Sequence, residues 1–476
     1  MKTKKLILLI STSVVMFVIA LLKGDYDNKV VFTGDEWDYQ SIGVNSYYGY
    51  KFLTTGRLKE ADAYMFKDLD DGKIKYWENF SGRIAYYRGP FYPLFISLTY
   101  KAFGVNPIII KYIQLFLLVV AGFLLVFIGR LAWGEKGFYI GYLSFILFVC
   151  LNYRFSFHLM PENWQFLFLS VITICLFYHY MGSRPYSVIL GVILGLSCLN
   201  KGTTFLLFPI IVFTDLFCNR FKKKGHLYNM VLFALGFSVI TGFWSIYVSI
   251  ERNQLTFISA QTEEVLLDGN NEYCSDGLWH PEWRDRPNSF YNTDKMEDNA
   301  GVLRVINFYV KNPGYLSNFP AKIKAGFAPV YSFNALVCLY LIFLSSRIYL
   351  RSEITATRLK KTSFIIFALF LLAVSILFGL TSGSLSDILF FSVVTVIFIL
   401  SVVFCKKFLT ELKLPFQFFI ILMNFMIFTL AFYVCNETYP SRYVKTMDGI
   451  FILLTFYLLF EIFDFPNQNP FKFQQE

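Results

Sequence analysis

Charged residues are scarce in this chain. Only 16% of the 476 residues are Asp, Glu, Lys or Arg, and 56% are hydrophobic, whereas soluble globular domains carry about 25% charged residues. Apolar runs of roughly 17–25 residues recur, which is the length of a helix that crosses the hydrocarbon core of a bilayer. The composition therefore excludes an ordinary soluble domain and predicts an all-α polytopic membrane protein.

Signatures of disulfide, zinc and nucleotide sites are also missing. The eight cysteines form no CxxC pair, and most lie in apolar runs, where a cysteine usually acts as a small hydrophobe. Only four histidines are present, and His280 has no second histidine near it, so zinc has little support. No Walker loop or dinucleotide fingerprint stands out. We expect neither a disulfide framework nor a nucleotide site.

The net charge of +10 reflects membrane topology rather than nucleic-acid binding, because many basic residues lie in short connections between apolar runs. The number of runs predicts about 12 transmembrane helices. They lie near 6–22, 108–129, 138–153, 164–181, 186–200, 203–218, 228–250, 327–346, 363–380, 387–405, 416–435 and 449–464.

Two long polar segments interrupt this pattern and divide the chain into five parts. These are a first transmembrane helix (1–22), a first loop (23–106), helices 2–7 (107–250), a second loop (251–325), and helices 8–12 with a short tail (326–476). The first run resembles a signal peptide, but no small-x-small cleavage site follows it, so we expect it to be retained. Basic clusters at 220–224, 347–361 and 406–407 predict cytoplasmic termini and two extracytoplasmic loops.

An acidic stretch, Asp35-Glu36-Trp37-Asp38, opens the first loop. We expect a helix over 35–52 on the membrane surface, which would put Asp35 and Asp38 on one face. Acidic residues at a helix start are often simply solvated and stabilised by the helix dipole. The alternatives are a general base for a hydroxyl group, or an oxygen-rich site for Mg²⁺ or Mn²⁺ formed by Asp35 and Asp38.

Other charged residues fall at predicted outward positions. The segment 88–93, which begins with Arg88, is expected to break regular structure because its prolines disfavour helix in the preceding residue. Glu162, Lys201 and Arg442 lie at turns between apolar runs. A glutamate there is often a helix cap, and a basic residue often extends to the interface. The same cations are also well placed to neutralise a lipid phosphate.

The second loop contains two polar patterns. Asn270 and Asn271 lie in a Gly- and Asn-rich stretch, 268–272, which is typical of a turn. His280 lies between Trp279 and Trp283, and tryptophans beside polar side chains suit stacking on a sugar.

In their order and predicted membrane side, these motifs resemble the GT-C glycosyltransferases that use polyprenyl-phosphate sugars. The similar branch is that of the protein O-mannosyltransferases and the lipid A aminoarabinose transferase. Two departures are that Asn200 replaces the usual threonine before the lysine, and that Asp38 extends the acidic pair. The resemblance rests on Asp35-Glu36 with Tyr39, then Arg88–Pro93, Pro161-Glu162, Gly191–Gly202, Asp268–Asn271 and Arg442-Tyr443.

The resemblance implies an inverting transfer at the outer face of a bacterial cytoplasmic (inner) membrane. A sugar on polyprenyl phosphate would pass to a hydroxyl of a lipid, glycan or protein. Asp35 or Glu36 would be the general base, with Asp35 the first choice. This branch generally needs no metal, although Asp35 and Asp38 leave a divalent cation open. The donor would be held by Arg88, Glu162, Lys201, Arg442 and Tyr443, and contacts to acceptor or sugar would come from Tyr39, Tyr92, Asn270, Asn271 and His280.

Three other functions compete with this one. A twelve-span transporter would place ionisable residues in broken helices at the membrane midplane, whereas here they lie in loops and turns. An oligosaccharide polymerase or O-antigen ligase also uses lipid-linked glycans, but typically carries its main loop late in the chain. A non-catalytic membrane scaffold explains the acidic stretch least well.

Overall fold

The computed structural model describes residues 3–23, 35–47, 88–217, 224–252, 267, 270–274, 301–317 and 445–464. Within these ranges the regular structure is entirely helical. The α-helices are α1 (Thr3–Lys23), α2 (Asp35–Tyr47), α3 (Phe91–Phe103), α4 (Pro107–Asn152), α5 (Glu162–Tyr180), α6 (Arg184–Asn200), α7 (Leu207–Phe217), α8 (Lys224–Arg252), α9 (Gly301–Lys311) and α10 (Asp448–Asp464). Short 3₁₀ helices cover Tyr153–Phe157, Gly202–Leu206, Pro313–Ser317 and Lys445–Met447.

Exposed apolar side chains mark the described helices as membrane helices. Three segments, Thr3–Leu22, Pro107–Phe157 and Leu227–Ile250, are long and apolar enough to cross a bilayer. On α8, Phe243 and Ile250 are 77% and 74% exposed. Soluble proteins rarely leave such continuous apolar surface open to water. The protein is therefore an integral membrane protein, as its composition predicts.

The expected spans correspond to helices wherever the structure describes them. Those near 164–181, 186–200, 203–218 and 449–464 fall on α5, α6, α7 and α10. Those near 327–346, 363–380, 387–405 and 416–435 lie outside the described residues. The total of twelve, the division into five parts and the membrane orientation therefore stay predictions.

A break divides α4 into two helices. Trp133 and Gly134 have non-helical backbone angles, and Gly134 has a φ of 63°, which a glycine adopts without strain. The two arms fold back on each other, and a Cβ added at Gly129 would lie 3.1 Å from the backbone nitrogen of Gly141. Small residues permit such close helix contact. The expected spans near 108–129 and 138–153 thus form a hairpin.

The helices that follow pack around this hairpin. Helix α5 packs between α4 and α6, and α8 runs alongside α6 in the same direction, since Gly195 approaches Ile240 and Gly191 approaches Phe233. Helix α10 packs on α4, where Trp133 and Tyr457 stack with ring centroids 4.5 Å apart. The arrangement brings the start of α5 and the end of α6 to the same end of the bundle.

Helices α2 and α3 form a pair at that end. The sequence predicts a helix over 35–52, and α2 covers Asp35–Tyr47 of it. Gly43 lies directly against Ile96 of α3, and the Tyr100 hydroxyl donates to Gln40 Oε1 at 2.7 Å.

The expectation of irregular structure across 88–93 is wrong for its second half. The chain bends only at residues 88–90, and α3 begins at Phe91, so Pro93 lies in the first turn of a helix. Proline is tolerated there because the first backbone N–H groups of a helix have no intrahelical acceptor.

Candidate active site

Arg88 joins the two aspartates of the acidic stretch. Its Nη2 lies 2.5 Å from Asp35 Oδ1 and 2.6 Å from Asp38 Oδ2, and its Nε also donates to Asp38 Oδ2 at 3.1 Å. The guanidinium lies 5.3 Å from the centre of the Tyr39 ring, which is a favourable cation–π distance. The face that sequence spacing predicts for the two aspartates is thus turned towards Arg88.

This arrangement bears on the possible metal site. Arg88 supplies the cation that Asp35 and Asp38 hold in the structure. Within the described ranges, no group of three or more His, Cys, Asp or Glu side chains is placed to hold a metal ion. A divalent cation at Asp35 and Asp38 would have to displace the guanidinium or share the two carboxylates with it.

Glu36 is buried and has different partners from Asp35 and Asp38. Its Oε1 accepts a hydrogen bond from the Leu159 backbone N–H at 2.7 Å, and His158 Nδ1 lies 3.3 Å from the same oxygen. The side chain of Glu36 is only 3% exposed, whereas that of His158 is 58% exposed. Asp35 is therefore paired with Arg88, whereas Glu36 is held by the turn before α5.

A close backbone contact places Arg88 beside the end of α6. The neighbouring Gly89 lies so near this helix that an added Cβ would meet the carbonyl group of Leu199. Only glycine fits at such a distance. The bend that carries Arg88 is consequently pressed against the residues that lead into Lys201.

Glu162 and Lys201 form a buried ion pair between two helix ends. Lys201 Nζ lies 3.1 Å from Glu162 Oε1, and the side chains are 9% and 0% exposed, respectively. Glu162 is the first residue of α5, where the helix dipole favours a carboxylate. Lys201 follows α6 in extended conformation, with a φ of −148°. The turn at Asn200–Gly202 that the sequence predicts is present.

A polar network holds these two helix ends together. Asn200 Nδ2 donates to the Pro161 carbonyl at 3.0 Å and to Gln165 Oε1 at 3.2 Å. Gln165 Nε2 in turn donates to Ser197 Oγ at 2.9 Å and Thr204 Oγ1 at 2.7 Å. Asn200 therefore has a clear structural role in joining α5 to α6.

Tyr92 lies between the two acidic sites. It is fully buried on α3, and its ring meets that of Tyr39 edge-on with centroids 5.1 Å apart. Burial raises the pKa of Tyr92 well above its ordinary value, and the nearby carboxylates of Glu162 and Glu36 raise it further. Phe91, which precedes Tyr92, also meets Trp164 of α5 edge-on with ring centroids 5.0 Å apart, so the α2–α3 pair and the start of α5 form one cluster.

Asn270 of the second loop contacts α9, and Asn271 bonds within its own turn. Tyr309 donates to Asn270 Oδ1 at 3.0 Å. Asn271 Nδ2 donates to the Leu267 carbonyl at 3.1 Å, and its Oδ1 accepts from the Tyr273 N–H at 2.9 Å. These bonds build the turn that the sequence predicts, and a role in binding stays a prediction.

Three predicted site residues, His280, Arg442 and Tyr443, lie outside the described residues. The 3₁₀ helix Lys445–Met447 begins two positions after Tyr443 and packs against α5, the helix that Glu162 opens.

Sequence reasoning missed His158 and Gln165. His158 is a lone histidine three residues before Pro161, and Gln165 is one polar residue in an apolar helix. No spacing rule links position 158 to position 36. A polar residue one turn after Glu162 was the only available signal for Gln165.

No family model matches this chain, and no curated protein matches it. Among solved structures, the chain is similar to the crystal structure of ArnT from Cupriavidus metallidurans bound to undecaprenyl phosphate. The TM-score is 0.40 and the identity 13%, over 97% of this chain and 78% of that chain. A likeness at this level assigns no family and carries no argument about function.

Proposed function

We propose that this protein is an inverting GT-C glycosyltransferase, which transfers a sugar from a polyprenyl-phosphate donor to a hydroxyl group. The observation that carries the proposal is the presence of two ion-paired sites in an integral membrane protein, Asp35–Arg88–Asp38 and Glu162–Lys201, which meet where Gly89 contacts the end of α6. These residues come from four separate stretches of the chain. Charged residues are costly to bury beside a bilayer, and such groups are usually functional.

The chemistry of the transfer matches the two kinds of charge in the cluster. A carboxylate can take the proton of the acceptor hydroxyl as it attacks the anomeric carbon, and either Asp35 or Glu36 is available for this. The departing polyprenyl phosphate needs cations where its charge develops. Arg88 and Lys201 supply these, and Arg442 and Tyr443 would join them because the segment that follows packs on α5.

The proposed location follows from the charge pattern of the sequence. Basic clusters predict that the acidic helix faces outward, where cytoplasmic nucleotide sugars are absent and a lipid-linked donor is accessible. The partners are accordingly a polyprenyl-phosphate sugar and a lipid, glycan or protein acceptor at the outer face of a bacterial cytoplasmic membrane. Tyr39 and Tyr92 are proposed contacts to acceptor or sugar.

The test is donor consumption in proteoliposomes that contain polyprenyl-phosphate sugars. We expect Asp35→Asn and Glu36→Gln to slow consumption, and loss of the true base should reduce the rate by about 10²- to 10⁴-fold. Glu135→Gln is the matched control, because Glu135 is an exposed carboxylate paired with Lys5 and Arg130 at the α4 hairpin. The proposal fails if wild type consumes no lipid-linked sugar, or if all variants match wild type.

A transporter is the second candidate, and the buried Glu162–Lys201 pair between helix ends favours it, since transporters place paired ionisable residues inside the bundle. The same proteoliposomes separate the two functions. A transporter would accumulate a labelled solute in the lumen and leave the lipid-linked sugar intact.

A further inference from the structure

Asp35 and Glu36 are neighbours in sequence but have different surroundings. Asp35 is paired with the Arg88 guanidinium at 2.5 Å, so its carboxylate already faces a cation. Glu36 is buried, and its Oε1 faces a backbone N–H and an imidazole. Glu36 therefore has beside it a side chain, that of His158, that can accept and release a proton.

His158 connects Glu36 to water. The imidazole Nδ1 is 3.3 Å from Glu36 Oε1, while 58% of the His158 side chain is exposed. A buried base that takes a proton once per turnover must also release it. An exposed histidine in contact with that base is a suitable acceptor, because an imidazole can take a proton at one ring nitrogen and release one from the other.

We infer, on the basis of the proposed function, that Glu36 takes the acceptor proton and that His158 is a positioning residue that passes it to water. As the acceptor oxygen bonds to the anomeric carbon, its O–H bond breaks and the proton moves to Glu36. The bond between the anomeric carbon and the phosphate oxygen breaks, and polyprenyl phosphate leaves with the electron pair. The proton then moves to His158 Nδ1, which carries no proton in the Nε2–H tautomer, and the imidazolium releases a proton from Nε2 to water. Proton exchange with water restores the Nε2–H tautomer before the next turnover.

Arg154 offers a matched comparison for His158. It lies on the 3₁₀ helix Tyr153–Phe157, four positions before His158, and it is likewise exposed.

The experiment is chemical rescue of His158→Ala in the donor-consumption assay. We expect kcat to fall by about 10²-fold, the lower end for a group that takes part in acid–base catalysis, with an unchanged KM for donor. Added imidazole should restore the rate in proportion to its concentration, because the site of an exposed side chain is open to solvent. A merely structural histidine would not respond in this way. Arg154→Ala is the matched control, and it should show neither the loss nor the response to imidazole.

The outcomes separate this inference from the proposed function. If wild type consumes donor but His158→Ala keeps the wild-type kcat, or imidazole gives no acceleration, the inference is wrong and the function stands. The same holds if Asp35→Asn abolishes turnover while Glu36→Gln does not. If wild type consumes no lipid-linked sugar, both are wrong.

Discussion

Lys201→Met is expected to lower the free energy of unfolding by about 3–5 kcal/mol. The substitution keeps most of the apolar stem but removes the charge that faces Glu162, whose side chain is fully buried. A buried carboxylate without its counter-ion must either bear an uncompensated charge or take up a proton, and both are costly. Denaturant unfolding in detergent micelles measures the effect, with reaction of the buried thiols of Cys175 and Cys198 as the signal.

The double variant Glu162→Gln with Lys201→Met tests whether the ion pair is the cause. Because it removes both charges together, we expect it to recover most of the lost stability. A loss of under about 1 kcal/mol for Lys201→Met, the range of an exposed pair, would contradict the burial of the pair. A double variant as unstable as the single one would show that packing by the lysine stem matters instead.

Gly89→Ala is expected to destabilise the protein by about 3 kcal/mol or more, at or above the upper end for overpacked sites. An added Cβ would lie 2.9 Å from the Leu199 carbonyl carbon and closer still to its oxygen. Both are backbone atoms at the end of α6, so no side chain can rotate to make room. Relief requires the bend that carries Arg88 to move away from Lys201, and we expect donor consumption to fall as well.

Gly242→Ala is the matched control for this substitution. Gly242 lies inside α8, and an added Cβ there would have nothing within 4 Å. Alanine is a better helix former than glycine, so we expect a gain of up to about 1 kcal/mol. The same unfolding assay compares the two. Equal stabilities for Gly89→Ala and wild type would contradict the close approach of Gly89 to α6.

Much of the fold was accessible from sequence because it depends on local composition and period. Apolar runs located the described spans within a few residues, and Asp35, Glu36 and Asp38 correctly marked the start of α2. The turn at Asn200–Gly202 and the turn at Asn270 and Asn271 were also recognisable from Gly and Asn. Helix α3 was missed since Pro93 was read as a helix breaker rather than as a first-turn residue.

The contacts that define the cluster were not accessible from sequence. Arg88 was predicted to bind the donor phosphate, and the structure pairs it with Asp35 and Asp38, which lie 53 and 50 residues away in the chain. Glu36 meets Leu159 across 123 residues. The sequence marks Arg88 and Glu36 as notable charged residues, but their partners depend on how distant helices pack.

The sequence by itself determined that this is a helical membrane protein and that its notable charges lie at helix ends, because bilayer thickness, helix period and turn chemistry act over a few residues. Only the tertiary structure decided which of those charged groups are paired with each other. Packing of α2 on α3 and of α5 on α6 pairs Arg88 with two aspartates, Lys201 with Glu162, and Glu36 with the turn that carries His158. Such pairings depend on distances between segments far apart in the chain, and these distances exist only in the folded protein.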